Sequence, residues 1–188
     1  MNVAPTNLPG VLIIEPRVFR DARGFVLESY RAETYREAGI APSFVQDTHS
    51  RSGQGTLRGL HYQLRHPQAK LVRVVRGAVW DVALDVRRGS PTFGRWAATE
   101  LSADNMRQMF IPAGLAHGFC VVGPDGADVE YKCSDYYVPD DQYGVAWNDP
   151  GLAIPWPVQA PLLSQVDRAL PLLHLGRDDL PLYMDAGR

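Results

Sequence analysis

The chain of 188 residues is predicted to be all-β, a sandwich or barrel of many short strands, with one short helix at its edge. Three observations carry that expectation. Apolar and polar residues alternate with a period of two in VWDVALDV, where Trp80, Val82, Leu84 and Val86 interleave with Asp81, Ala83 and Asp85. Turn residues such as Gly89-Ser90-Pro91 and Gly123-Pro124-Asp125-Gly126 punctuate the chain at short intervals. Only one stretch, RAETYREA at 31–38, combines good helix formers with a stop at Gly39.

The elements follow in order. VLII at 11–14 reads as an early strand, and VFRDARGFVLESY as two extended runs joined by a turn at Asp21-Ala22-Arg23-Gly24. After the helix, SFVQDTHS returns to extended structure. The stretch from Gly55 to Gly77 holds a strand ending in His61, a turn at His66-Pro67 and a strand opening with Lys70. TFGRWAATELS, RQMFIPAG, HGFCVVG and ADVEYKCSDYYV are the later strands. The proline- and leucine-rich tail, WPVQAPLLSQVDRALPLLHLGRDDLPLY, reads as a C-terminal wrap packed on the barrel.

Composition limits the functions available. The length and the lack of a linker-like run favour a single domain, 1–188. A net charge of -2 leaves no footprint for nucleic acid or acidic membranes, so an anionic ligand must be held by local cations. The N-terminus MNVAPTNLPG has neither a basic start nor an apolar run, which predicts a cytoplasmic protein without a membrane anchor. Cys120 and Cys133 read as two buried, reduced thiols.

Side-chain alternation selects the candidate site. Gly59, His61 and Gln63 share one strand face. Lys70 lies on the face of Val72 and Val74, an odd place for an ammonium unless it borders a pocket. Tyr131 shares the interior face of Val129 and Cys133. Histidine titrates near pH ~6.5 and accepts a proton at neutral pH without much tuning. Lys70 and Arg58 could steady negative charge on an oxygen. These groups suit removal of a proton beside a carbonyl and return of one from the opposite side. Read from the residues alone, Arg23 and Glu28 are solvated turn and edge charges, and His49 and His174 are surface or structural histidines.

Ile111-Pro112-Ala113-Gly114-Leu115-Ala116-His117 resembles the second motif of the cupin superfamily of small jelly-roll barrels. The first motif of that superfamily supplies two histidines and a glutamate as metal ligands. Here His61 takes the first position, but Gln63 and Lys70 take the others. Protonated lysine has no lone pair to offer, so the expectation is a barrel without metal.

Together PRVFRDARGFVLESY, FVQDTHS, LRGLHYQ, QAKLVRVVRGAVWDVALDVRRGSPTFG, IPAGLAHGF, EYKCSDYY and WNDP resemble the dTDP-4-dehydrorhamnose 3,5-epimerase family, over about residues 11–170. The resemblance implies a cupin jelly roll, a homodimer, no cofactor, and a dTDP-4-keto-6-deoxy sugar as substrate. It makes His61 the base, Asp167 the aspartate that orients it, Tyr131 the general acid and Lys70 the residue facing the C4 oxygen. Arg58, His117 and Gln142 would be further pocket contacts. Arg23, Glu28, Gln46, Asp47 and Thr48 would lie at the nucleotide end, partly from the partner subunit. Gln142, Thr48 and Val166 depart from the family's usual glutamate, asparagine and lysine. The rival readings are an epimerase of one carbon only, a non-catalytic nucleotide-sugar-binding cupin and a metal-dependent cupin dioxygenase.

Overall fold

The computed structural model of the chain describes residues 1–40 and 43–184. Two antiparallel sheets face each other as a jelly roll. The six-stranded sheet contains β1 (Asn2–Pro5), β2 (Leu12–Glu15), β10 (Gln108–Ile111), β7 (Lys70–Arg76), β12 (Ala127–Cys133) and β5 (Gln46–Ser52), in that spatial order. The five-stranded sheet runs β13 (Gln142–Gly144), β6 (Leu57–Gln63), β11 (Leu115–Val121), β8 (Ala78–Asp85) and β9 (Trp96–Ser102). A separate hairpin pairs β3 (Val18–Asp21) with β4 (Gly24–Leu27).

The turns read from sequence do two different jobs. Gly123-Pro124-Asp125-Gly126 follows β11 in one sheet and precedes β12 in the other, so it carries the chain across the barrel and closes no hairpin. The His66-Pro67 turn does the same between β6 and β7. This crossing places strands adjacent in sequence on facing walls, the arrangement from which jelly rolls are built.

Three apolar layers hold the sheets. Val72, Val74, Met109, Ile111 and Val129 from one sheet meet Val79, Leu101, Phe119 and Val121 from the other inside the barrel. A second layer covers the outside of the five-stranded sheet, where Leu60, Val82, Leu84 and Val86 pack under Leu152, Ile154 and Leu180 of the C-terminal wrap. The third lies outside the six-stranded sheet, where α1 (Ala32–Glu37) presses Tyr35 against Ile14, Leu71 and Phe110. Full burial of side chains of this size contributes about 1.5–3 kcal/mol each.

Some sequence expectations need correction. The strand carrying His61 continues to Gln63, because β13 pairs with it through Gln142 and Gln63. Neither β1 nor β13 was expected. VWDVALDV has no solvent face: its greasy side meets the wrap, and Asp81 and Asp85 on the other side are fully buried. Asp85 is satisfied there by Arg87, Ser90 and Thr92. The wrap also contains a second helix, α2 (Gln165–Arg168). Among the described residues no helix is long and apolar enough to cross a membrane.

Candidate active site

Three strands that reach the open end of the barrel change character on their inward face. On β7, Val74 and Val72 belong to the core and Lys70 follows. On β12, Val129 gives way to Tyr131 and Cys133, and on β11 Phe119 gives way to His117. The result is a cavity of about 520 Å³ walled by both sheets and by α2. That volume falls in the range of small-molecule sites.

His61 occupies the five-stranded wall. Its Nε2 lies 2.6 Å from Oδ1 of Asp167, a close approach that is angled away from a straight hydrogen bond. Burial pushes the Asp167 carboxyl up, but the His61 ring, the Ser164 hydroxyl and the Gly59 N–H outweigh it and hold the group below its ordinary value. A carboxylate so held fixes the ring's orientation and supports positive charge on it, and leaves Nδ1 to meet a substrate.

Across the strand pairing from His61 stands His117. Its Nε2 lies 3.0 Å from both carboxylate oxygens of the buried Asp81. The two histidine strands approach closely at two glycines. A Cβ on Gly59, whose φ is +109°, would stand 2.6 Å from the Gly118 Cα. Only glycine accommodates both that contact and that backbone angle.

Tyr131 stands on the opposite, six-stranded wall, its ring centre 6.4 Å from that of His117. Burial raises the phenol above its ordinary value, with Arg58 and the Thr48 hydroxyl opposing. Burial lowers the Lys70 ammonium, with Cys133 and Asp81 opposing. Lys70 pairs directly across the ladder with Cys133, a free and buried thiol that burial pushes up.

Nine of the twelve residues expected in the site line this cavity: Gln46, Thr48, Arg58, His61, Lys70, His117, Tyr131, Gln142 and Asp167. Arg23, Glu28 and Asp47 do not. Arg23 is bonded to Asp21 on the exposed β3–β4 hairpin, and Glu28 faces Arg31. Asp47 points to the outer face, where it binds Lys132, because its neighbours Gln46 and Thr48 take the inward positions.

The cavity also contains Gln63, which the sequence reading placed on the His61 face without a role, and further residues that reading missed. Gln63 spends its amide on fastening a loop, donating to the carbonyls of His66 and Tyr136 and accepting from the Val138 N–H. That loop presents Tyr137 to the cavity, with its N–H bonded to Gln46. Gln68, Phe119 and Ser164 also line it. Ser164 carried a local signal, the Ser-x-x-Asp spacing to Asp167, whereas Gln68 and Tyr137 enter through partners distant in sequence. Among the described residues, no group of three or more His, Cys, Asp and Glu side chains gathers to hold a metal ion.

A jelly roll with a histidine–aspartate pair, a phenol and an amine in its open end is a cupin barrel equipped for acid–base chemistry. A family model described as dTDP-4-dehydrorhamnose 3,5-epimerase matches residues 5–174, and the chain belongs to that family. A protein of that name from Pseudomonas aeruginosa is 56% identical over 170 residues, covering 89% of this chain and 93% of the relative. Another, from Neisseria gonorrhoeae, is 54% identical over 90% of this chain, which spans only 52% of that relative's length. The crystal structure of the Legionella pneumophila dTDP-6-deoxy-D-glucose-3,5-epimerase in complex with dTDP-4-keto-L-rhamnose superposes with a TM-score of 0.94. It shares 48% identity, and the match covers 98% of this chain and 99% of that one.

Proposed function

We propose that this protein is a dTDP-4-dehydrorhamnose 3,5-epimerase, converting dTDP-4-dehydro-6-deoxy-D-glucose to dTDP-4-dehydro-L-rhamnose. The observation that carries this reading is the placement of His61 and Tyr131 on opposite sheets of one cavity, with Lys70 on the same wall as Tyr131. Inversion at a carbon needs a base on one face and an acid on the other, and two facing walls supply them.

In this mechanism His61 takes the proton from the carbon beside the C4 ketone. The C–H electron pair moves into a C–C double bond, and the carbonyl oxygen becomes an enolate facing Lys70. A fixed positive charge stabilises that oxygen most when it carries negative charge, which lowers the barrier and not only the binding energy. Tyr131 then gives its phenolic proton to the opposite face of the carbon, and the double bond collapses back to the ketone. His61 releases its proton to water and Tyr131 regains one, so a second cycle can invert the other carbon. Asp167 holds the His61 ring, and Arg58, His117, Gln46, Thr48 and Gln142 hold the substrate. The scheme uses no metal or coenzyme, and residues 1–188 act as one catalytic unit.

The same reading makes the enzyme a homodimer. The β3–β4 hairpin is hydrogen-bonded into neither large sheet and exposes Phe19, Phe25 and Val26, the last at 71%. Arg23 and Glu28 lie on or just after it, outside their own chain's cavity. Docked on a second copy, the hairpin would bring Arg23 and Glu28 to the nucleotide end of the partner's site.

The deciding experiment is proton NMR of the 4-keto substrate in deuterated water. The wild-type protein is expected to place deuterium at C3 and at C5, with or without a chelator. Label at one carbon alone assigns a single-carbon epimerase, and binding without exchange assigns a nucleotide-sugar-binding protein.

A further inference from the structure

Resting on the reading above, we infer that Ser164 is a positioning residue that aims the Asp167 carboxylate at His61. Ser164 is the N-cap of α2, a helix of only four residues. Its Oγ accepts from the Asp167 N–H at 3.0 Å and donates to Asp167 Oδ2 at 2.8 Å. One hydroxyl therefore grips the backbone and the side chain of the same residue. With Oδ2 occupied, Oδ1 is the oxygen turned to His61, 2.6 Å away.

The arrangement answers a specific difficulty. Asp167 reaches the site from the C-terminal wrap and not from a barrel strand. Such a short helix has little stability of its own, because forming a first helical turn is unfavourable. Asp81, which backs His117, has a central strand to hold it. Asp167 has the Ser164 hydroxyl instead. The hydroxyl's single proton goes to Asp167 Oδ2, so it has no donor left over for a substrate.

Capping and aiming can be separated by choice of substitution. Glycine is nearly as good an N-cap as serine, whereas alanine is poor. Ser164→Gly therefore keeps the helix start and removes the hydrogen bond to Oδ2. Ser164→Gly and Ser164→Ala are each expected to lower kcat about 10- to 100-fold, the cost of a small misplacement of a reacting group, with KM within about twofold. Ser164→Thr, which retains the hydroxyl, recovers most of that loss. In an Asp167→Ala background, Ser164→Gly adds less than about a twofold effect, because residues that act as a unit are not additive.

The inference is overturned if Ser164→Gly keeps kcat within about threefold of wild type while Ser164→Ala loses it, the pattern of a cap alone. It is equally overturned by an undiminished effect of Ser164→Gly in the Asp167→Ala protein. His61→Ala, measured alongside, isolates the underlying reading: wild-type exchange in that variant overturns the base assignment whatever Ser164 does.

Discussion

His61 and His117 face each other across the β6–β11 pairing, and each is backed by its own carboxylate, Asp167 at 2.6 Å and Asp81 at 3.0 Å. The two pairs differ in access. His117 and Asp81 are buried with side-chain exposures of 7% and 0%, whereas His61 keeps 24%. On the proposed reading, the more open ring is the one that exchanges protons with a substrate and then with water. The enclosed Asp81 is suited to fixing the His117 ring where it lines the cavity.

Replacing Asp167 with Asn tests the first pair. The amide offers an N–H where the ring needs an acceptor, so His61 loses the tautomer and the charge support that the carboxylate provides. The turnover rate is expected to fall about 10²- to 10⁴-fold with KM little changed. Steady-state kinetics check this, and a matching loss in KM alone would point to a binding role.

The second pair predicts a stability effect. Asp81→Ala leaves the buried His117 Nε2 without its partner, at a cost of about 1–3 kcal/mol. Asp81→Asn, which retains one acceptor oxygen, should cost less. Urea denaturation of both variants gives the comparison, and equal stabilities would remove the structural role assigned to the pair.

Burial holds the Lys70 ammonium below its ordinary value and the Tyr131 phenol above its own. Enolate stabilisation needs the ammonium, which is present below the Lys70 pKa and lost as pH rises through it. The basic limb of kcat/KM is therefore expected below the ordinary lysine value of 10.5. It should persist in the residual proton exchange of Tyr131→Phe. Disappearance of the limb in that variant would assign it to the phenol.

The exposed hairpin predicts the assembly. Phe25→Asp combined with Val26→Asp is expected to convert a dimer to a monomer in sedimentation velocity and to weaken dTDP binding. The barrel itself should keep its wild-type circular dichroism, because neither side chain belongs to an apolar core layer. A wild-type monomer with full activity would end the proposal that Arg23 and Glu28 act across a dimer.

Much of the barrel was legible from local pattern. Period-two alternation located β8 and β12, and glycine-rich turns marked their ends. The inward direction of Lys70 and Tyr131 followed from their apolar neighbours on the same face, and both side chains line the cavity. Strands β1 and β13 escaped because each is very short and exists through its pairing, with β2 and with β6.

By itself the sequence determined the β class, the short helix, the family and the residue types available for proton transfer, because these depend on neighbours within a few positions. Only the tertiary structure decided which of those residues meet. The resemblance already paired Asp167 with His61, and the structure supplies the fold-back of more than a hundred residues that joins them; that Asp81 is the buried partner of His117 came from the structure alone. Arg23, Glu28 and Asp47 lie outside their own chain's cavity. The physical reason is that a strand's periodicity states which side chains share a face, whereas sheet pairing and the crossing turns decide what that face looks upon.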